Sequence, residues 1–121
     1  MAGARDPEVG KALTLFHHRH AHPWTIAELA RETGLSRTVF SERFRHFLGV
    51  APMTYLTRWR LRLGARALAA TSHSVAQIAL DAGYESEAAF NRAFKREYGL
   101  PPARYRKGKA EQRGSLVPVS H

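Results

Sequence analysis

Apolar residues recur every three to four positions along most of the chain, and the alternating pattern typical of β-strands is nearly absent. The breaks in this pattern fall at glycine, proline or capping residues, such as the Asp6-Pro7 pair at the first helix start. The pattern therefore predicts an all-α fold of seven helices. They cover about residues 6–18, 25–34, 36–49, 52–70, 74–83, 86–99 and a short segment from 101.

Capping residues support these boundaries. Thr25 and Glu28 have the spacing of a capping box. Serines at the starts of three further helices can accept hydrogen bonds from the free first-turn N–H groups, and glycines that tolerate a left-handed backbone follow four helix ends. The serines are Ser36, Ser74 and Ser86, and the glycines are Gly34, Gly49, Gly83 and Gly99.

Two stretches of the chain are near-copies of each other. From Ser36 onward, residues match those 50 positions later, so that Ser36, Phe40 and Phe44 correspond to Ser86, Phe90 and Phe94. Upstream the offset is 49, which indicates one extra residue near Glu85 in the turn of the second copy. Each copy is close to the lower size limit for independent folding, so we expect the two halves to share helices.

The apolar stripes predict which helix faces are buried. In the third helix they place Val39, Phe40, Phe44 and Phe47 in the core. The stripe of the long helix comprises Leu56, Trp59, Leu63, Ala67 and Ala70, and Trp24 is also expected in the core. Gly64 in the middle of this helix is expected to weaken it by about 1 kcal/mol relative to alanine.

These elements predict two subdomains, residues 6–50 and 72–106, joined by a linker helix at 51–71. The last residues, 107–121, are polar and aperiodic, and we expect them to be a disordered tail.

The charge balance predicts a polyanionic partner. Nineteen Lys and Arg against ten Asp and Glu give a net charge of +9, and most of the cations are arginine. Nucleic acid is the leading candidate and an anionic membrane surface is a weaker one. The chain contains no cysteine, no apolar run long enough to span a membrane and no apolar signal region, so we expect a cytoplasmic protein.

Each repeat has the features of a helix-turn-helix motif. Such a motif needs a small residue where the helices approach, a glycine at the turn and a capped second helix. Ala30, Gly34 and Ser36 meet these needs in the first repeat; Ala79, Gly83 and Ser86 meet them in the second. A single polar helix face is more often solvated surface, but two complete motifs on a basic chain favour DNA binding.

The free face of each second helix supplies the candidate contacts. Arginine pairs with guanine, asparagine with adenine, and glutamate accepts from cytosine, while other basic residues fix the register on phosphates. The predicted base-reading residues are Arg37, Thr38, Ser41, Glu42, Glu87, Ala88, Asn91 and Arg92. The predicted phosphate-binding residues are Ser36, Arg43, Arg45, Ser86, Lys95 and Arg96.

The segments LARETGLSRTVFSERF (29–44) and IALDAGYESEAAFNRAFKREYGLPPARYR (78–106) resemble the DNA-binding domain of AraC-type transcription regulators. The run PMTYLTRWRLRLGARAL (52–68) is similar to the helix that joins the two motifs in that family. The resemblance covers residues 8–106. It implies seven helices, two recognition helices at about 36–48 and 86–98 in successive major grooves, and an asymmetric site.

Two positions depart from the family pattern. Glu42 stands where the family usually has a basic residue six positions after the serine cap, and Gly64 stands where it usually has alanine. The resemblance therefore implies an altered contact at Glu42 and a less rigid linker.

The resemblance also implies the partners. We expect double-stranded DNA, RNA polymerase as a further partner of an activator, a separate sensor or dimerisation domain in the full-length protein, and no membrane. We expect neither a cofactor nor a metal, and the chain shows no nucleophile elbow, phosphate loop or carboxylate pair that would indicate an enzyme.

The histidine run, the arginines of the long helix and the function itself each allow a second interpretation. The histidines at positions 17, 18, 20 and 22 are compatible with a metal site, although solvated histidines at a helix end explain them better. Arg58, Arg62 and Arg66 either follow phosphates or are solvated, and Arg60 is expected to pair with an acid such as Asp81. The rival functions are non-specific nucleic-acid binding and a scaffold for an acidic protein.

Overall fold

The computed structural model describes residues 6–116, with side chains as far as Arg113, and this part of the chain forms seven α-helices and no strand. The all-α prediction is confirmed. No helix in the described part is long and apolar enough to cross a membrane. The helices are α1 (Pro7–His18), α2 (Ile26–Thr33), α3 (Arg37–Leu48), α4 (Pro52–Ala70), α5 (Val75–Ala82), α6 (Glu87–Tyr98) and α7 (Pro102–Leu116).

The first six helices begin and end where the local signals predict. Asp6, Thr25, Ser36, Ser74 and Ser86 are N-caps whose side chains accept hydrogen bonds from first-turn N–H groups. The four expected glycines take left-handed backbone angles, with φ between 73° at Gly34 and 102° at Gly83. These ends are set within one helical turn, so the sequence suffices to place them.

The chain divides into two compact units between Arg60 and Leu61, which lie in the middle of α4. The core of unit 1 comprises Val9, Ala12, Phe16, Trp24, Leu29, Phe40, Phe44 and Leu56. The core of unit 2 comprises Leu61, Ala65, Leu68, Ile78, Ala79, Ala82, Phe90 and Phe94. Helix α4 therefore contributes to both cores, as expected because each repeat is close to the lower size limit for independent folding.

The buried stripe of α4 differs from the prediction. Leu56 is buried as expected, but Trp59, Leu63 and Ala67 are half-buried and Ala70 is exposed. Apart from Pro52 at the start of the helix, the remaining buried positions are Leu61, Gly64, Ala65 and Leu68. A helix that serves two cores does not carry one continuous apolar stripe, so the predicted stripe is wrong for the second half of α4.

The last helix is longer than predicted. The sequence predicts disorder from residue 107, but α7 continues to Leu116, so this prediction is wrong over residues 107–116. The reason is a set of tertiary hydrogen bonds. Arg106 donates to the carbonyl oxygens of Leu68 and His73, and Arg113 donates to that of Ala69. These arginines satisfy carbonyls at and beyond the end of α4. Residues 117–121 lie outside the described residues.

Candidate nucleic-acid interface

Helices α2 and α3 form the first helix-turn-helix. Gly34 closes α2 with φ 73°, and Ser36 Oγ then accepts a hydrogen bond of 3.1 Å from the N–H of Val39. Phe40 and Phe44, one turn apart, are completely buried and hold α3 against the core of unit 1. The opposite face of α3 is left exposed.

Helices α5 and α6 repeat this arrangement in unit 2. Gly83 closes α5 with φ 102°, and Ser86 Oγ accepts from the N–H of Ala89 at 3.0 Å. Phe90 and Phe94 are completely buried. Two residues lie between Gly83 and Ser86, against one between Gly34 and Ser36, which agrees with the insertion predicted near Glu85.

Six of the eight predicted base-reading residues lie on the exposed surface, and two are half-buried. The half-buried residues are Ser41 and Asn91, which occupy equivalent positions in the two repeats. The Oδ1 atom of Asn91 is buried and makes no hydrogen bond within the described part of the chain. The exposed residues are Arg37, Thr38, Glu42, Glu87, Ala88 and Arg92.

The predicted phosphate contacts fall into three groups: the two cap serines, the exposed cations of α3 and α6, and Arg43. The hydroxyls of Ser36 and Ser86 are used as acceptors in their helix caps. Arg45, Lys95 and Arg96 are exposed on α3 and α6, so their charges are accessible to a phosphate.

Arg43 is paired with two carboxylates of unit 1, and its assignment as a phosphate contact stays a prediction. Its Nε donates to Asp6 Oδ2 at 2.9 Å and its Nη2 donates to Asp6 Oδ1 at 2.7 Å. Glu8 lies 3.8 Å from the same Nη2 atom. The Nε–Nη2 edge of the guanidinium thus forms a bidentate pair with a carboxylate that is 37 positions away in sequence, which the local pattern of α3 does not reveal.

Asp6 serves two helices at once. Its side chain is only 3% exposed, and Oδ1 also accepts from the N–H groups of Glu8 and Val9 at the start of α1. Burial by itself raises the pKa of this carboxyl, but the hydrogen bonds from Arg43 and from the helix N-terminus together hold its pKa below the usual value. The ionised carboxylate therefore links α1 to the recognition helix.

Sequence reasoning missed two exposed residues of α3. Val39 was expected in the core but its side chain is 41% exposed, and His46 is also exposed. An angular count would have found both, because each residue advances by 100° and Val39 therefore lies a quarter turn from buried Phe40. The exposed strip of α3 runs through Thr38, Glu42 and His46, and the equivalent strip of α6 runs through Ala88, Arg92 and Arg96.

The loop before α2 is held by α4. Arg60 Nε and Nη2 donate to the carbonyl oxygens of His20 and His22 at 2.7 and 2.8 Å. Trp24 Nε1 donates to the Arg19 carbonyl at 2.9 Å. These contacts fix the chain that leads into the first helix-turn-helix.

Among the clustered histidines, His17 and His22 contact side chains of unit 1. His22 Nε2 lies 2.8 Å from Glu28 Oε2, and this hydrogen bond lowers the pKa of Glu28. The ring of His17 is hydrogen-bonded to the Tyr55 hydroxyl at 2.8 Å and packs on Trp59 with ring centroids 4.5 Å apart. The run therefore has an acidic partner in Glu28, six positions beyond His22. No group of three or more metal-ligating side chains occurs among residues 6–116.

Two capped helix-turn-helix units with exposed basic recognition helices define a DNA-binding domain of the bacterial regulator class. A sequence model described as a helix-turn-helix domain matches residues 29–108. The chain belongs to the AraC-type helix-turn-helix family.

Individual relatives agree with this assignment. The chain is 48% identical over 107 residues to an AraC-like transcription regulator of Streptomyces antibioticus, covering 88% of this chain and 35% of the relative. It is 46% identical over 107 residues to one of Streptomyces lividans, with the same coverage. The chain thus spans about a third of the length of these relatives.

A solved structure shares the fold. The DNA-binding domain of AdpA, a global transcriptional factor crystallised with a target DNA, superimposes with a TM-score of 0.83 at 30% identity. The match covers 90% of this chain and 97% of that domain.

Proposed function

We propose that this chain binds double-stranded DNA in a sequence-specific manner and that it thereby positions a transcription regulator at its site. The observation that carries the proposal is the pair of recognition helices α3 and α6. Each is anchored by two completely buried phenylalanines and presents its polar face to solvent. The similar AdpA domain binds a target DNA, and the chain's net charge of +9 favours the same partner.

The proposed mechanism has two parts. Arg45, Lys95 and Arg96 attract the duplex and fix the register through phosphates. The exposed side chains of α3 and α6 then read base edges in two successive major grooves, about 34 Å apart along one face of the duplex. Because the exposed residues of the two helices differ, the site is asymmetric.

The rest of the regulator lies beyond this chain in the proposal. Its relatives are about three times longer, which supports a separate sensor or dimerisation domain. Contact with RNA polymerase and action at the nucleoid belong to the same proposal. The function is binding and involves no catalytic step.

Selection of bound sites from random duplexes tests the proposal. The chain should recover an asymmetric motif with two blocks about one helical turn apart, and log Kd should rise linearly with log salt concentration. The double substitution Arg37→Ala with Arg92→Ala should degrade both blocks. Arg104→Ala removes an exposed cation from α7, outside the recognition helices, and should leave the motif intact.

The rival functions predict other results. A non-specific nucleic-acid binder would shift all duplexes equally and return no motif. A scaffold for an acidic protein would fail to shift any duplex at low salt.

A further inference from the structure

The two recognition helices carry opposite charges at the same position. Glu42 lies six residues after the cap Ser36, and Arg92 lies six residues after the cap Ser86. Both side chains are exposed, and both lie in the middle of the strip that faces away from the buried phenylalanines. The repeat therefore places a carboxylate and a guanidinium at equivalent points of two equivalent scaffolds.

The charge of Glu42 is not neutralised by the adjacent cation. Arg43 directs the Nε–Nη2 edge of its guanidinium to Asp6, at 2.9 and 2.7 Å. Within the described part of the chain Glu42 itself makes no ion pair, although Arg45 and His46 follow it on the same helix. Its negative charge is thus presented to whatever approaches α3.

A carboxylate has a narrow choice of partners in the major groove. It accepts hydrogen bonds and cannot donate them, so it can pair only with an exocyclic amino group, the N4 amino of cytosine or the N6 amino of adenine. Guanine N7 and O6, thymine O4 and the phosphates are all acceptors and repel it. Specificity can arise from such repulsion as well as from attraction.

We propose that Glu42 selects the first half of the site mainly by exclusion: it admits an amino-bearing base at one position and rejects guanine and thymine there. Arg92 selects an acceptor-rich base, guanine, at the equivalent position of the second half. The two charges would then determine which unit binds which half of the site. This inference rests on the proposed sequence-specific DNA binding.

The test compares Glu42→Gln with Glu32→Gln. Each variant removes one exposed negative charge from unit 1, but Glu32 lies in α2, outside the recognition helix. Sites selected from random duplexes by both variants and the wild type are compared, and Kd is then measured on four duplexes that differ only at the affected position. Circular dichroism confirms that both variants are folded.

Glutamine keeps an acceptor and gains a donor, so Glu42→Gln should bind guanine or thymine at that position about tenfold more tightly than the wild type does. Glu32→Gln should change the affinity for all four duplexes by one common factor. The base preferred by the wild type shows whether the amino group is that of cytosine or adenine. Replacing that base with an analogue that lacks the amino group should weaken wild-type binding and leave Glu42→Ala unaffected.

Two results would overturn the inference. One is a wild-type motif that Glu42→Gln leaves unchanged, and the other is an equal gain on all four duplexes by Glu42→Gln and Glu32→Gln. Either would leave the proposed function standing. A wild-type chain that selects no motif would instead overturn the proposed function, and this inference with it.

Discussion

Gly64 of α4 lies directly against the ring of Phe90, so closely that a Cβ atom at position 64 would come within 2.7 Å of Phe90 Cε1 and Cζ. Phe90 is completely buried and anchors the second recognition helix. The sequence alone suggested that Gly64 weakens α4. The contact shows that the glycine permits the close approach of α4 and α6 in unit 2.

Gly64→Ala should therefore lower the stability of unit 2 by about 1–3 kcal/mol, because the overpacked methyl group outweighs the gain in helix propensity. Urea denaturation of the chain measures the change. Gly108→Ala is the matched control, since Gly108 also lies in a helix of unit 2 and a Cβ there meets nothing within 4 Å. The control should be neutral or stabilising by up to about 1 kcal/mol. Equal effects of the two substitutions would contradict the packing argument.

Two substitutions separate the two roles of Asp6, which are the N-cap of α1 and the ion pair with Arg43. Asp6→Asn keeps a good N-cap but removes the charge that Arg43 pairs with, whereas Asp6→Ala also removes the cap, at a further cost of about 1 kcal/mol. Thermal denaturation should therefore rank the wild type above Asp6→Asn and Asp6→Ala lowest.

The low pKa of Asp6 predicts the direction of its pH dependence. A carboxyl whose folded pKa lies below the unfolded value of 3.8 stabilises the fold fully above that value, and this contribution is lost as the pH falls through the folded pKa. The urea midpoint of the wild type should thus fall between about pH 5 and about pH 3 more steeply than that of Asp6→Asn. Parallel curves would show that the ion pair adds no stability.

His17 predicts a second pH dependence at higher pH. Burial lowers the pKa of this ring, and nearby His18 adds to the shift from 6.5. The unfolded chain then binds the proton more tightly than the folded chain. The stability that neutral His17 contributes to the fold is therefore complete above about pH 6.5 and is lost as the pH falls through the folded pKa. Tryptophan fluorescence during urea denaturation should show this loss in the wild type and a smaller one in His17→Gln.

The hydrogen bonds of Arg106 should contribute to the attachment of α7 to the end of α4. It donates to the carbonyl oxygens of Leu68, Thr71 and His73, so Arg106→Ala should destabilise unit 2 by about 1–2 kcal/mol. Arg104 is exposed on the same helix, and Arg104→Ala should change the stability by less than about 0.5 kcal/mol. Hydrogen exchange of the α7 amides should accelerate in the first variant only.

Arg92 and Lys95 lie one turn apart on α6 and should have different roles in DNA binding. Arg92→Ala should reduce the discrimination between bases at one position by about 1–3 kcal/mol, because it removes a base contact. Lys95→Ala should weaken binding to all sequences alike and reduce the salt slope by about 1. Affinity measured on matched and mismatched duplexes over a salt series separates the two effects. Uniform weakening by both variants would refute the assignment of Arg92 as a base reader.

Much of the site could be predicted because the two repeats carry the same local signals. Ser36 and Ser86 identify the starts of the recognition helices, and the phenylalanines one turn apart identify their buried faces. The ion pair between Arg43 and Asp6 could not be predicted. The position of Arg43 on α3 is compatible with a phosphate contact, and only the fold brings Asp6 close to it. The prediction for Val39 is wrong for a different reason: Val39 is apolar and adjacent to Phe40, but its angle on the helix turns it away from the core.

The sequence by itself determined the number of helices, the ends of the first six and the presence of two matching helix-turn-helix motifs. These features depend on hydrogen bonds within one helical turn, which capping residues such as Ser36 and Gly34 make possible. The tertiary structure decided the role of Gly64, the partner of Arg43 and the continuation of α7 beyond Arg106. Each depends on a contact between residues far apart in the chain, such as the 38 positions between Arg106 and Leu68, and no local pattern encodes such a contact.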